Sequence, residues 1–151
     1  MKNYNSIVEK SYETINELNF YIDLAKNYSK DREIYNELRN IQEKLLTIFD
    51  SQENLVRVSV DEEDIQYLEN IKHKYISKVE NANEFVVPGI SKSSSILHIA
   101  KTICTRAERD ILSLNKKQKI NPALIKYIQK LSDVIYTLAK YSEDEIIYIE
   151  I

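Results

Sequence analysis

The sequence predicts an all-α protein, a bundle of five helices, and three observations carry that prediction. Breakers are scarce: there is one glycine and there are two prolines in 151 residues, where such residues normally punctuate loops and sheet corners. Apolar residues recur at three- and four-residue steps in five separate segments, the spacing that lines one face of a helix. Good capping residues precede several of those segments. The balance of 43% hydrophobic to 30% charged residues is that of a folded globular chain. The length suits a single domain, 1–151, and no internal repeat is visible.

The first helix is expected over about Ser6 to Asn27, with Ile15, Leu18, Ile22 and Ala25 on one face. The second runs from about Asp31 to Asp50. Its Ile34, Leu38, Ile41, Leu45 and Ile48 alternate four and three like a heptad seam, and Ser29 or Asp31 supplies the cap. Residues Ser51 to Ser59 read as a connector. The alternation Leu55 to Val60 looks strand-like but has no partner strand, so it reads as an extended, partly buried link. The third helix opens near Asp61 on four acidic residues that suit the positive end of a helix dipole, and buries Ile65, Leu68, Tyr75 and Val79. Asn81 to Glu84 ends it, and Phe85 to Gly89 reads as an apolar loop. The fourth helix opens within Ser91 to Ser95 and reaches about Leu114, with Leu97, Ala100, Cys104, Ala107, Ile111 and Leu114 as its stripe. The fifth starts at the cap Asn121, with Pro122 at the first helical position and Leu124, Ile128, Leu131, Ile135 and Leu138 as its stripe. The tail Glu143 to Ile151, acidic and then apolar, is too short to fold alone and is expected to dock on a neighbour.

Composition excludes several functions. A net charge of −3 offers no general attraction to nucleic acid. Lys116, Lys117 and Lys119 sit at a helix end, where they complement its dipole. No apolar run approaches the ~20 residues of a membrane span, and the N-terminus lacks a signal peptide's apolar core. Cys104 is the only cysteine, so no intrachain disulfide forms, and the expected compartment is the cytoplasm. His73 and His98 have no second ligand at a helical metal-binding spacing, so no metal site is expected. Cys104 falls on an apolar stripe and reads as a small core residue. The 11 tyrosines read as core and interface residues.

Two polar spacings stand apart. Lys101, Thr105 and Glu108 share one helical face, with Arg106 and Arg109 to its side. On the fifth helix Gln129, Lys130 and Asp133 lie within one turn. Two adjacent helices could present these groups at one level of the bundle. The plainer reading is an internal ion-pair network, such as Arg106 or Arg109 with Asp133.

These stretches carry a resemblance. Phe85-Val86-Val87-Pro88-Gly89 resembles a Phe-x-x-Pro-Gly loop. Leu97-His98 runs into Cys104-Thr105-Arg106-Ala107-Glu108-Arg109, which is similar to a Leu-His-x-x-Arg helix running into Cys-Arg-Arg-Ala-Glu-Arg. Tyr127 to Asp133 resembles Tyr-Leu-Asn-Arg-Leu-Ser-Asp, followed like it by an aromatic and Leu-Ala before a basic residue. Tyr12 to Asn19 is similar to a first-helix segment ending Asp-Glu-Leu-Asn. By these motifs, in the same order over nearly the whole chain, it resembles the trimeric ATP:cob(I)alamin adenosyltransferases of the propanediol-utilisation type. The resemblance implies a five-helix bundle, a homotrimer with sites between subunits, and transfer of the 5′-deoxyadenosyl group of ATP to the cobalt of reduced cobalamin. It implies that Phe85 helps close the lower face of a corrinoid bound without its lower base, keeping water from the metal. Nucleotide-site positions fall on Thr105, Glu108, Gln129 and Lys130. Interface or structural positions fall on Asn16, Lys101, Arg106, Arg109 and Asp133.

The departures matter as much. The family's opening segment, whose Gly-rich backbone wraps the triphosphate, precedes the point where this chain starts, and Gly89 is the only glycine. Thr105 stands for a phosphate-binding Arg, Lys101 for the Arg one turn earlier, Asn16 for its carboxylate partner across subunits, and Gln129-Lys130 for Asn-Arg. A hydroxyl does not replace a charged, forked guanidinium at a phosphate. Cobalamin is therefore the expected cofactor, whereas ATP and Mg are expected to bind no tighter than roughly millimolar. Two functions remain open on the sequence: a cobalamin adenosyltransferase-like protein with an eroded ATP half-site, or a non-catalytic bundle that binds corrinoid or a partner protein.

Overall fold

The computed structural model describes residues 2–50, 58–79, 85–86, 91–143 and 148–149. Five helices account for most of them: α1 (Lys2–Tyr28), α2 (Arg32–Asp50), α3 (Glu62–Ile76), α4 (Lys92–Asn115) and α5 (Pro122–Tyr141). The all-α bundle is thus as the sequence predicts. α1 begins a turn earlier than expected, and α3 stops at Ile76 rather than near Asn81.

The helix starts are set by local chemistry. Asp31 accepts hydrogen bonds from the amides of Glu33 at 2.8 Å and Ile34 at 3.2 Å, so it, and not Ser29, caps α2. Asp61 and Asp64 form a reciprocal capping box at α3. Ser91 caps α4 by accepting from the Ser94 amide. Asn121 caps α5 and also donates its side-chain amide to the carbonyls of Val58 at 2.9 Å and Val60 at 3.2 Å. One residue thereby starts a helix and pins the end of the connector beneath it. Val58 and Val60 are buried with Ser59 exposed between them, which fits the extended link; residues 51–57 lie outside the described ones.

Around the bundle α2 packs on α1, α1 on α4, α4 on α5, and α5 on α3. Side chains join α3 to α2: Asn40 and Tyr67 meet at 3.1 Å, Tyr67 donates to Glu37 at 3.1 Å, and Lys44 pairs with Asp64 at 2.9 Å. The apolar stripes read from the sequence lie in the core between these helices, apart from Val79, which is buried past the end of α3 but outside that cluster. Each such Leu or Ile contributes roughly 1.5–3 kcal/mol relative to exposure. Among the described residues, no helix is long and apolar enough to cross a membrane.

Two short strands correct the sequence reading. Phe85–Val86 (β1) pairs antiparallel with Tyr148–Ile149 (β2), Phe85 opposite Ile149. The start of the expected apolar loop is therefore extended backbone, and the tail expected to dock on a neighbour pairs with its own chain. Period-two pairing over two residues is too short to be visible as alternation. Val87, Pro88 and Gly89 lie outside the described residues.

Candidate functional site between α4 and α5

The polar positions singled out in the sequence lie on α1, α4 and α5, but the fold sends them in three directions. Thr105 faces α5. Its hydroxyl donates to the Lys101 carbonyl at 3.1 Å and lies 3.4 Å from the Ser132 hydroxyl. Lys101 also faces α5, with its ammonium 5.8 Å from the centre of the Tyr136 ring. Glu108 is half-buried one turn further along. On α5 itself, Gln129 is exposed. Lys130 pairs with Glu69 and Asp133 with Lys72 at 3.6 Å, both partners being on α3. The hydrogen bond from Lys130 holds the Glu69 carboxyl below its usual range, and Glu69 in turn raises the Lys130 ammonium. The single polar level shared by α4 and α5 is therefore corrected: at ~100° per residue, Ser132 looks to α4 while its neighbours Lys130 and Asp133 look to α3.

Arg106 points the opposite way, to α1. It donates to Glu17 at 2.7 Å in a two-oxygen contact. The ion pair of Arg106 or Arg109 with Asp133 is thus not what the fold makes; Arg109 is exposed and has no ion pair among the described residues. Next to Arg106, buried Asp110 accepts from Thr14 at 2.8 Å and lies 3.7 Å from Lys10. Asn16 is half-buried on α1, and no hydrogen bond joins it to Lys101 among the described residues.

Sequence reasoning missed the group around Tyr136. The His98 ring meets Tyr136 edge-on at 5.9 Å between centroids, and Lys140 places its ammonium 5.6 Å from the same ring. Among the described residues His98 Nε2 is buried without a hydrogen-bond partner, 4.0 Å from a Glu143 carboxylate oxygen. Burial pushes the His98 imidazole below its ordinary value, against the raising effect of Glu143. The carboxylate of Glu143 also abuts the Ser94 hydroxyl, which lies 2.7 Å from the Ala139 carbonyl. These residues fall off the apolar stripes. The end of α5 is buried all round from Thr137 to Lys140, which one-face periodicity does not reveal.

Cys104 is inert here: it is fully buried, donates to the Ile128 carbonyl at 3.5 Å, and burial pushes its thiol up. No cluster of metal-ligating side chains occurs among the described residues. A cavity of about 740 Å³ opens at the end of the bundle where Tyr28, Asp31 and Ile34 meet Ser91, Tyr141 and Glu143. Its two helix starts already spend amides on Asp31 and Ser91.

With this geometry in hand, comparison with known proteins decides the family. The sequence profile described as cobalamin adenosyltransferase matches residues 3–142. The chain belongs to that family. The "Corrinoid adenosyltransferase" of Bacillus subtilis is 34% identical over 145 residues, spanning 89% of this chain and 74% of the relative. The "Corrinoid adenosyltransferase" of Citrobacter freundii is 28% identical over 140 residues, spanning 89% and 80%. Among solved structures, a variant PduO-type ATP:corrinoid adenosyltransferase from Lactobacillus reuteri, complexed with cobalamin and ATP, superposes with a TM-score of 0.86 at 25% identity, over 95% of this chain and 84% of that one. A second variant of that type, complexed with ATP, gives 0.86 at 25% identity over 95% and 87%.

Proposed function

We propose that this adenosyltransferase-family chain is a corrinoid adenosyltransferase with a weakened nucleotide site. The family match over residues 3–142 carries the reading, and the relatives' names supply the substrate class. In the reaction the reduced cobalt attacks the ribose C5′ of ATP, the carbon–oxygen bond breaks, a cobalt–carbon bond forms, and triphosphate leaves. The protein's part is to seat the corrinoid, keep water from the metal and hold the triphosphate.

For the corrinoid, the family resemblance assigns Phe85 to the lower face of the ring; its backbone pairs with that of Ile149. For the triphosphate the described residues fit poorly. The position facing phosphate is Thr105, whose hydroxyl proton is engaged by a helix carbonyl. Of the cations around it, Arg106 pairs with Glu17 on α1, Lys130 pairs with Glu69 on α3, and Lys101 rests against the Tyr136 ring. Each absent charge-assisted contact weakens binding by about tenfold or more, so ATP–Mg binds no tighter than about millimolar.

The working unit is a homotrimer formed by one domain, residues 1–151, in the cytoplasm. An exposed apolar set supports assembly: Phe20 is 65% exposed, Leu24 43% and Ile99 47%. The contacts Glu17–Arg106 and Ala25–Ser93 bring Phe20, Leu24 and Ile99 to the same stretch of the α1–α4 face. Mixing the protein with chemically reduced cobalamin and rising ATP–Mg tests the function. Formation of adenosylcobalamin, read by its absorbance and its loss in light, supports it. Binding of corrinoid with no product at any ATP level refutes adenosyl transfer.

A further inference from the structure

We propose that the Glu143 carboxylate is a two-position, acid-sensitive latch between the end of α5 and α4: it rests on Ser94 while His98 is neutral and swings to His98 when the imidazole is protonated. Ser94 and His98 both lie on α4, four residues apart and so on one face. Glu143 follows Ser142, the C-cap of α5, and its side chain is fully buried. The carboxylate abuts the Ser94 hydroxyl, and one of its oxygens lies 4.0 Å from His98 Nε2.

Neither contact locks the carboxylate in place. Ser94 has a single hydroxyl proton, and the Ala139 carbonyl lies 2.7 Å from the same oxygen. The carboxylate therefore competes with a backbone acceptor for that proton. At His98 the gap of 4.0 Å is too long for a hydrogen bond. With the imidazole neutral, Nε2 turns toward the carboxylate either a lone pair, which repels it, or an N–H that no acceptor takes among the described residues. With the imidazole charged, both ring nitrogens donate, and such a contact to a carboxylate closes to roughly 2.7–2.9 Å. A movement of about 1 Å accomplishes this. The backbone just before Glu143 is held in place. Ser91 donates to the Ser142 carbonyl at 2.8 Å, and the Ser142 amide donates to the Leu138 carbonyl at 2.9 Å. The change is thus a swing of one side chain, which exchanges a hydroxyl contact for a charged pair.

The surroundings of His98 set the range in which the latch moves. Burial disfavours the imidazolium most, Glu143 favours it, and Lys101, on α4 itself, disfavours it. From α5 the Tyr136 ring meets His98 edge-on, with the Lys140 ammonium 5.6 Å from the centre of that ring. Helix α1 packs on α4 as well, but none of its charged groups is among those that act on His98. The net direction is downward from 6.5. The carboxylate therefore rests on Ser94 at neutral pH and moves in mild acid. Its departure leaves the Ser94 hydroxyl wholly to the Ala139 carbonyl.

The test is an NMR titration of the full chain from about pH 8 to about pH 5, which reads the His98 ring carbons and the Glu143 carboxyl carbon together. In wild type both signals should move with one midpoint, below 6.5. Glu143→Gln removes the attracting charge and should shift the His98 midpoint to lower pH. Ser94→Ala frees the carboxylate for His98 and should shift it to higher pH. A Glu143 signal that stays still while His98 titrates overturns the proposal. So does a folded Ser94→Ala whose His98 midpoint is unchanged or lower, since burial beside a fixed carboxylate predicts no rise. If neither variant folds, the two wild-type signals decide alone.

Discussion

The two sides of α4 differ in how completely their polar groups are satisfied. Toward α1, Arg106 meets Glu17, Asp110 meets Thr14, and Ser93 donates to the Ala25 carbonyl at 3.1 Å. Toward α5, His98 Nε2 makes no hydrogen bond among the described residues and lies 4.0 Å from a Glu143 carboxylate oxygen, and the ammonium groups of Lys101 and Lys140 flank the Tyr136 ring. The partnered groups on the first side help to hold α1 against α4, although Asn19 Oδ1 on α1 is buried without a hydrogen bond among the described residues. An unmatched buried polar atom such as His98 Nε2 costs stability.

The largest effect expected from breaking this contrast is in the shared core. Leu131 on α5 is fully buried, and Leu131→Ala should destabilise the chain by about 2–5 kcal/mol, read by urea unfolding. A loss below about 1 kcal/mol would mean that α5 is not packed as described. Asp110→Ala comes next. It removes the buried acceptor of Thr14, and about 1–3 kcal/mol is expected. Arg106→Ala touches a pair that is 43% and 42% exposed on its two side chains, so no more than about 1 kcal/mol is expected in the monomer. A larger loss that depends on protein concentration would place Arg106 in the subunit contact.

The α5 side is sharpened by pH. His98 has a folded pKa lowered by burial from an unfolded value of 6.5. The unfolded chain therefore binds the proton more readily. The stability that His98 contributes is complete above pH 6.5 and falls as pH drops through the folded value. His98→Phe should flatten the melting temperature between pH 7 and pH 5 relative to wild type. An unchanged slope would show that the unpartnered nitrogen is reached by water.

Much of the fold was legible because helix faces repeat over many residues. Ile34 through Ile48 and Leu124 through Leu138 announce their buried sides from spacing alone, and Asp61 and Asn121 announce their helix starts. The β1–β2 pairing was not legible, because two residues have no period and the partners lie far apart in the chain. The site was legible only in part. Thr105, Lys101 and Asp133 were visible as motif positions, but their facing depends on which helix packs beside each one. Lys140 was invisible because the last turn of α5 is enclosed on all sides, so its polar residue stands where no apolar stripe would place it.

The most direct test of the account is the ATP dependence of adenosylcobalamin formation by wild type and Thr105→Arg, measured side by side with saturating reduced cobalamin. Wild type should half-saturate at about millimolar ATP–Mg or above. Thr105→Arg, which returns a forked cation to the phosphate position, should lower that concentration about tenfold. Micromolar half-saturation in wild type, or no shift in a folded Thr105→Arg, would contradict the claim that the nucleotide side is weakened at Thr105.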